Sequence, residues 1–345
     1  MMRMRVWMVM MVFFGVAASA DEKNHNGEEH KALCKVLRAA VGKWGDGGKH
    51  LSGPLQKALA KTIFGEHSGG DTLDSLKRKL PDDYNGVVKE LGSRFFVCGK
   101  PFLDDMRKKQ PRVSGHSAPH DLLCLCTPGD RGWPLNNGEG KKLCGEDKSV
   151  WGGGKSGWAS SRQGEGQMKE TWTQVVAKCL NDGGKGENLK YALEIFIGSL
   201  GERKPGEHPY KSLGKGDFSS KYACSGKEQT GICVKYYPED QKAIPWWNQL
   251  QDALNKEEQK EQNEREEAEK RKHEAQKQRQ PQKQDHSQYP QGPRTAALRS
   301  ATPSTEENEQ SNTENISDSI ATIEDTSRTL IVPSCPWLLS ALLLI

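Results

Sequence analysis

The side chains in this sequence that are best suited to chemistry are its nine cysteines. Thiols can bind a metal, act as nucleophiles or pair as disulfides, and the compartment in which the protein folds decides among these fates. The ninth, Cys335, lies in an apolar C-terminal tail, whereas the others lie between positions 34 and 233. Those eight are Cys34, Cys98, Cys124, Cys126, Cys144, Cys179, Cys224 and Cys233.

The spacing of the cysteines argues against a metal centre. Zinc sites usually contain cysteine pairs about two to four residues apart, whereas Leu125 alone separates Cys124 from Cys126. An even number in an oxidising compartment predicts four disulfides, and eight cysteines allow on the order of 100 pairings that sequence alone does not distinguish. Cys124 and Cys126 are too close to pair comfortably, so each is expected to have a distant partner. Cys224 and Cys233 could close a small loop.

Other patterns predict no catalytic site. The Gly-Gly-Gly-Lys-Ser segment at 152–156 resembles the end of a phosphate-binding loop, but Ser149 stands where that motif needs its first glycine. His116 and His120 lie near Cys124, yet a Cys–His nucleophile needs a free thiol. The sequence also lacks the Gly-x-Ser-x-Gly motif of serine hydrolases. We therefore expect no enzyme activity, cofactor, metal or small-molecule substrate, and the net charge of +4 is too small to predict a nucleic-acid partner.

An export signal is predicted at the N-terminus. Arg3 and Arg5 precede an apolar stretch at 6–16, and Ala-Ser-Ala at 18–20 is a small-x-small cleavage pattern. These features predict a signal peptide that is removed after Ala20, with an uncleaved membrane anchor as the alternative. Export brings the thiols into an oxidising compartment, which favours disulfides over metal binding.

A lipid-attachment signal is predicted at the C-terminus. The final apolar run, at 330–345, is short for a bilayer span of roughly 20 residues, and Pro333 and Pro336 interrupt it. A polar spacer precedes this run and small residues precede the spacer, an order typical of GPI-anchor signals. A short tail anchor is the alternative. The candidate attachment residues are Ser317 and, as alternatives, Asp318 and Ser319.

Together these signals divide the sequence into four predicted parts. They are a signal peptide at 1–20, a disulfide-rich α-helical ectodomain at 21–254, a charged stalk and disordered tether at 255–317, and a propeptide at 318–345. The Asn-Ile-Ser sequon at Asn315 is the only one in the sequence and is a candidate N-glycosylation site.

Apolar residues at helical spacing predict a mainly α fold for the ectodomain. The centre, 115–166, is rich in Gly, Pro and Ser and is predicted to be a loop-rich excursion held by disulfides. We expect an elongated, disulfide-stapled helical bundle that carries this excursion. The predicted helices span 28–44, 51–64, 71–80, 84–96, 168–180, 187–200 and 246–254.

The Lys/Glu-rich run at 256–279 has almost no apolar residue and cannot bury a core. A solvated stalk is the favoured interpretation. A coiled coil is the alternative, but it would need apolar residues at its a and d positions.

The layout resembles the variant surface glycoproteins of African trypanosomes. The local motifs are EEHKALCKVLRAAVGKW around Cys34, the segment from Leu122 to Gly145, and the ending PSCPWLLSALLLI. The first two resemble the family's B-type N-terminal domain. Because no cysteine between Cys233 and the tail is present, the protein resembles members with a short, cysteine-free C-terminal part rather than those with a second cysteine-rich domain.

The resemblance implies a dense, GPI-anchored coat on the outer face of the plasma membrane. Members form dimers, vary in exposed sequence and evade host immunity by antigenic variation. The expected partners are thus the membrane, through the lipid, a second copy of the protein, and host antibodies. A GPI-anchored receptor for a host protein or nutrient on a similar helical scaffold is the alternative, and an exported enzyme is a third interpretation.

Overall fold

The computed structural model describes residues 23–65, 72–87, 93–100, 112–153, 155–159, 163–181, 183–184, 187–202 and 209–278. These described residues are called the head below. They belong to a compact unit that spans Met1–Pro281, whereas a second unit, Gln282–Ile345, lies outside the described residues. The predicted signal peptide, sequon, attachment residues and tail also lie outside them.

The head is mainly helical, as predicted. Helix α1 (Gly27–Trp44) buries the apolar residues whose spacing predicted it, among them Leu33 and Leu37. Helix α2 (Gly53–Phe64) begins at an N-cap, where the Ser52 hydroxyl oxygen accepts the backbone N–H of Leu55. Its first turn contains proline, which has no N–H to leave unsatisfied there.

Most of the remaining predicted helices are present with shifted ends. Helix α10 crosses the predicted boundary at 254/255 without a break, and residues 88–92 of the helix predicted at 84–96 lie outside the head. The further helices are α3 (Leu73–Arg78), α4 (Tyr84–Gly86), α5 (Arg94–Cys98), α6 (Ala118–Cys126), α7 (Glu165–Thr171), α8 (Ala177–Asn181), α9 (Leu189–Gly198) and α10 (Trp246–Gln278).

A π-helical turn, Trp172–Val176, joins α7 to α8 in the segment predicted as one helix. Trp172 is buried, and its indole Nε1 donates a hydrogen bond to the carbonyl oxygen of Leu76 in α3 at 2.7 Å. This bond links two elements that are 96 residues apart in the sequence.

The prediction that 115–166 is an excursion from the helical body is wrong for its first part. Helix α6 lies there, and all nine of its residues are buried. Its N-cap is Ser117, whose hydroxyl oxygen accepts the N–H of His120, and Pro119 lies in its first turn. The apolar run that follows makes α6 a central helix, which packs against α1, α2, α5 and the π-helical turn.

Two small sheets complete the head. In the first, β1 (Asn24–His25) pairs in parallel with β2 (Lys142–Leu143), which pairs antiparallel with β3 (Glu146–Asp147). In the second, β4 (Gly201–Glu202), β5 (Lys211–Lys215) and β6 (Ile232–Tyr236) are antiparallel, with Leu213 opposite Val234. Strand β6 packs against α6, so the second sheet contributes to the same core.

Helix α10 is 33 residues long and changes character along its length. Its first two turns bury Trp246, Trp247 and Leu250 and pack against α2 and α9. Side chains from 258 to 276 are all exposed. The described part of the Lys/Glu run is therefore helical and exposed in the single chain, and the solvated stalk stays a prediction.

Candidate functional site

The eight cysteines form four disulfides, and each pairs with a partner from another element or loop. As predicted, Cys124 and Cys126 have different partners, and Cys224 pairs with Cys233 across nine residues. The longest-range bridge joins α1 to α8 across 145 residues. The pairs are Cys34–Cys179, Cys98–Cys124, Cys126–Cys144 and Cys224–Cys233.

Among the described residues, one group has the composition of a metal site: His30, Cys34 and Cys179, whose ligand atoms lie within 4.8 Å of one another. Its two sulfurs are bonded to each other in a disulfide. They therefore cannot act as thiolate ligands, and the group does not form a zinc site in the oxidised protein.

The Cys–His arrangement suggested by His116, His120 and Cys124 is not a nucleophilic site. The Cys124 sulfur is bonded to Cys98, and the ring of His120 is held by two hydrogen bonds. Its Nε2 lies 3.1 Å from the carbonyl oxygen of Val97, which can only accept, so Nε2 carries the hydrogen. Its Nδ1 then accepts from the hydroxyl of Tyr84 at 2.7 Å.

This arrangement fixes the charge of the buried ring. His120 is fully buried, and burial lowers its pKa to about 3. The imidazole is therefore neutral at neutral pH, and its two nitrogens join α6 to α4 and α5. Its role in the head is structural.

The strongest polar cluster surrounds Asp121 in α6. Its Oδ1 accepts the backbone N–H of Gly115 at 2.9 Å. Its Oδ2 accepts the hydroxyl of Tyr236 at 3.0 Å and the indole N–H of Trp246 at 2.7 Å. Burial raises the pKa of Asp121 to about 7, while the three hydrogen bonds act in the opposite direction. One carboxyl group thus ties α6 to strand β6 and to the start of α10.

Arg94 provides hydrogen-bond donors for carbonyl oxygens at the C-terminal end of the same helix. Its guanidinium is buried and donates to the carbonyl oxygens of Cys124 and Thr127, which are at the C-terminal end of α6, and to that of Trp158. The guanidinium also lies over the Trp158 ring, 5.2 Å from its centroid. Desolvation lowers its pKa to about 9. The guanidinium of Arg94 therefore caps the C-terminus of α6, a position in which the helix dipole favours a cation.

Asn26 connects the start of α1 to two other elements. Its backbone is left-handed, with φ 58°, and its side chain is fully buried. The amide donates to the carbonyl oxygens of Leu125 and Ile232 at 2.9 and 2.8 Å, and its oxygen accepts the N–H of Lys215 at 3.0 Å. An asparagine that tolerates positive φ and makes three hydrogen bonds joins α1, α6 and the β5–β6 pair.

A groove of about 480 Å³ lies between the end of α1, the start of α9 and α10. Apolar side chains line its floor and acidic side chains lie along α10, where Glu258 is paired with Lys190 at 2.5 Å. No set of a nucleophile, base and orienting group lines it. The lining residues are Gly42, Lys43, Leu55, Gly184, Glu187, Asn188, Leu189, Lys190, Leu254, Glu257, Glu258 and Glu261.

The segment 152–156 carries no phosphate loop in the described residues. Gly152 and Gly153 follow a short 3-10 helix, Lys148–Trp151, rather than a strand, and both are exposed with positive φ. The backbone therefore does not have the strand–loop–helix form that the motif requires.

None of the helices among the described residues has both the length and the apolar character needed to cross a bilayer. The predicted lipid-attachment residues Ser317, Asp318 and Ser319, and the sequon at Asn315, lie outside the head. The buried residues Asp121, Arg94 and Asn26 were not predicted from the sequence. For Asp121 and Arg94 the only sequence signal is a polar residue next to an apolar run, whereas Asn26 lies in a polar segment.

The family model described as trypanosomal VSG domain matches residues 43–276, which is about two thirds of the sequence. The matched range begins at the end of α1 and ends within α10, so it includes the central helix α6 and both partners of three disulfides. A search of curated proteins found no match.

Proposed function

This protein belongs to the trypanosomal VSG domain family, and from that premise we propose that it is a GPI-anchored surface coat glycoprotein that shields the parasite membrane and evades host immunity by antigenic variation. The family is one of surface coat proteins. The anchor, the glycosylation and the antigenic role of this protein are the proposed part.

The observation that carries this proposal is the match over 43–276, which coincides with a helical, disulfide-bonded head. Three buried polar side chains that join elements of the head support it. Asp121, Arg94 and His120 all hold elements together rather than converge on an open cleft. A coat protein needs such a durable scaffold and no catalytic site.

The division between core and surface also suits a variable antigen. The hydrogen-bonded and disulfide-bonded framework is buried, while loops such as the one that contains Gly138 and Gly140 are exposed. Substitutions on exposed loops usually cost little stability, whereas changes in the core cost more. Exposed sequence can therefore vary while the framework is kept, and antibodies would contact the part that varies.

We propose that the lipid is attached at Ser317, with Asp318 and Ser319 as alternatives, after removal of the apolar tail. Small residues, a polar spacer and a terminal apolar run support this assignment. A GPI lipid has two acyl or alkyl chains, which gives more durable anchoring than one such chain would. Asn315 is the proposed glycosylation site, and a homodimer is the proposed assembly.

The experiment compares the full-length protein with a variant that lacks 330–345, both expressed in a trypanosome. We expect the full-length protein at the cell surface, from where a phosphatidylinositol-specific phospholipase releases it, and the truncated protein in the medium. A control surface protein with a known, cleavable GPI anchor verifies lipase action. The anchor assignment fails if the truncated protein stays on the surface or if the full-length protein resists a verified lipase.

Surface abundance tests the coat role separately from the anchor. A coat protein covers most of the cell surface, so we expect this protein to be the dominant surface protein in cells that express it. Quantitative surface labelling followed by mass spectrometry measures its copy number. Low abundance together with release by the lipase would support the anchor assignment and contradict the coat role.

A further inference from the structure

The sequence contains three Asn-Gly pairs, and the fold places them in three different settings. They are Asn26-Gly27 at the start of α1, Asn85-Gly86 in α4, and Asn137-Gly138 in the loop that precedes β2. Asparagine followed by glycine is especially prone to deamidation, because glycine has no side chain to hinder attack by its own backbone nitrogen. The three pairs therefore share a reactivity that the fold can suppress or permit.

The fold protects the first two pairs. The side chain of Asn26 is fully buried, and its amide donates to two carbonyl oxygens while its oxygen accepts a backbone N–H. A Cβ at Gly27 would lie 2.1 Å from Nδ2 of Asn24, so the backbone there has little room to move. Asn85 is exposed, but it lies within α4, whose helical backbone angles would have to change before a ring could close.

The third pair is open on both counts. Asn137 and Gly138 are exposed and lie outside any helix or strand. Gly138 has φ 106°, and a Cβ placed on it would have no described atom within 4 Å. The backbone nitrogen of Gly138 therefore has room to approach Cγ of Asn137.

We propose that Asn137 is a site of spontaneous deamidation in the exported protein. The Gly138 nitrogen loses its proton and attacks Cγ of Asn137, so that a new C–N bond forms and the side-chain nitrogen leaves as ammonia. Water then opens the resulting succinimide ring at either carbonyl, which gives aspartate or isoaspartate at position 137. The net reaction consumes one water and releases one ammonia, and nothing is oxidised or reduced.

The reaction changes a contact between two loops. Nδ2 of Asn137 donates to Oε1 of Glu228 at 3.0 Å, although the residues are 91 positions apart. Each of the two residues lies in a loop that a disulfide closes. Deamidation replaces the amide donor by a carboxylate, which can only accept, so this hydrogen bond is lost and two like charges face each other.

The chemistry at Asn137 does not depend on the coat role, whereas its antigenic consequence rests on that proposed function. The exposed loop gains a negative charge and, in the isoaspartate form, an extra backbone carbon. An ageing coat would thus present more than one form of the same exposed loop without any change in the gene. Mass analysis of the purified protein tests the modification whether or not the protein forms a coat.

The test is timed incubation of the mature protein at pH 7.4, followed by digestion and mass spectrometry, with an enzymatic assay for isoaspartate. We expect Asn137 to convert first, Asn85 more slowly and Asn26 last. Because Asn26 reacts only after local opening, its rate should be at least about 100-fold lower than that of Asn137, or roughly 3 kcal/mol at about 1.4 kcal/mol per factor of ten. The proposal is overturned if Asn137 is not the fastest of the three.

Two comparisons separate the effect of the fold from that of the sequence. In the reduced, denatured chain the three pairs should react at similar rates, and an equal lead of Asn137 there would contradict a role of the fold. Asn136 is exposed in the same loop but precedes Asn137 rather than a glycine, so it should stay intact. Conversion of Asn136 as fast as Asn137 would contradict attack by the Gly138 nitrogen.

A matched pair of variants tests the consequence for the loops. The amide of Asn136 donates to the carbonyl oxygen of Arg131 rather than to a carboxylate. N137D and N136D each remove one amide donor and add one charge, but only N137D places a carboxylate against Glu228. We expect faster amide hydrogen exchange at 227–230 in N137D alone, because the loop opens more often. Equal exchange in the two variants would overturn the proposed loss of this contact.

Discussion

The indole N–H of Trp246 donates to the Oδ2 atom of Asp121 across 2.7 Å, although the two residues are 125 positions apart in the sequence. Asp121 lies in the buried central helix, and Trp246 is the first residue of the long helix α10. The bond therefore fixes the direction in which the solvated stalk leaves the core. Substitution of Asp121 tests how much this connection stabilises the head.

Asp121→Asn should destabilise the head by about 1–3 kcal/mol, because the new amide N–H₂ would face buried donors. The pKa of Asp121 is raised by burial from 3.8 to about 7, so the folded state binds more protons than the unfolded state between about pH 4 and 7. Its contribution to stability therefore falls as pH rises through this window. The penalty of D121N, measured by urea unfolding, should shrink from pH 4.5 to pH 7.5. A penalty that grows with pH would contradict this assignment.

The buried histidines should lower the stability of the head as pH falls, whereas Asp121 lowers it as pH rises. Burial lowers the pKa of His120 from 6.5 to about 3 and that of His30 from 6.5 to about 4. The unfolded state then binds more protons, so stability is fully present above about pH 6.5 and is lost as pH falls toward these values. The free energy of unfolding of D121N, which lacks the opposing carboxyl group, should decline steeply from pH 6.5 to 4.5. Replacement of exposed His50 by Gln should leave that slope unchanged.

The stability lost when a disulfide is removed should increase with the length of the loop that it closes. Replacing Cys34 and Cys179 by Ala opens a loop of 145 residues and should cost about 5 kcal/mol, whereas replacing Cys224 and Cys233 opens nine residues and should cost roughly 3 kcal/mol if loop-closure entropy sets the cost. Chemical unfolding of both double variants under oxidising conditions measures the difference. Equal costs would show that native-state strain, not loop-closure entropy, sets the stabilisation.

Arg94→Lys should destabilise the head, although both side chains carry a positive charge. A single ammonium group cannot match a planar guanidinium that serves three carbonyl oxygens, so at least one buried acceptor at the end of α6 loses its partner. We expect a loss of about 2–4 kcal/mol. The exposed Arg131 provides the matched control, since Arg131→Lys should change stability by less than about 0.5 kcal/mol. Similar melting temperatures for the two variants would contradict the capping role of Arg94.

The helices that were predictable are those with one buried face. In α1 and α2 the apolar residues recur at helical spacing, because each helix packs one side on the core and exposes the other. Helix α6 has no exposed face, so its sequence shows an apolar run and no periodicity. Its short length and the Gly, Pro and Ser residues around it therefore predicted a loop.

Long-range partners account for the rest of what sequence could not predict. The pairing of the cysteines depends on which helices meet in space, as with Cys34 on α1 and Cys179 on α8. Asp121 looks like an ordinary helical acid until its donors, 6 to 125 residues away, are known. Strands β5 and β6 are five residues each, and a long connection separates them, so no local turn signal marks the pair.

The proposed anchor is the central claim, and mass analysis of the C-terminal peptide of the mature protein tests it most directly. Protein isolated from trypanosome membranes is digested, and its last peptide is sequenced. The account predicts a peptide that ends at Ser317, or at Asp318 or Ser319, and carries the ethanolamine-phosphate glycan of a GPI anchor. A C-terminal peptide that still contains Trp337 and ends at Ile345 would contradict it.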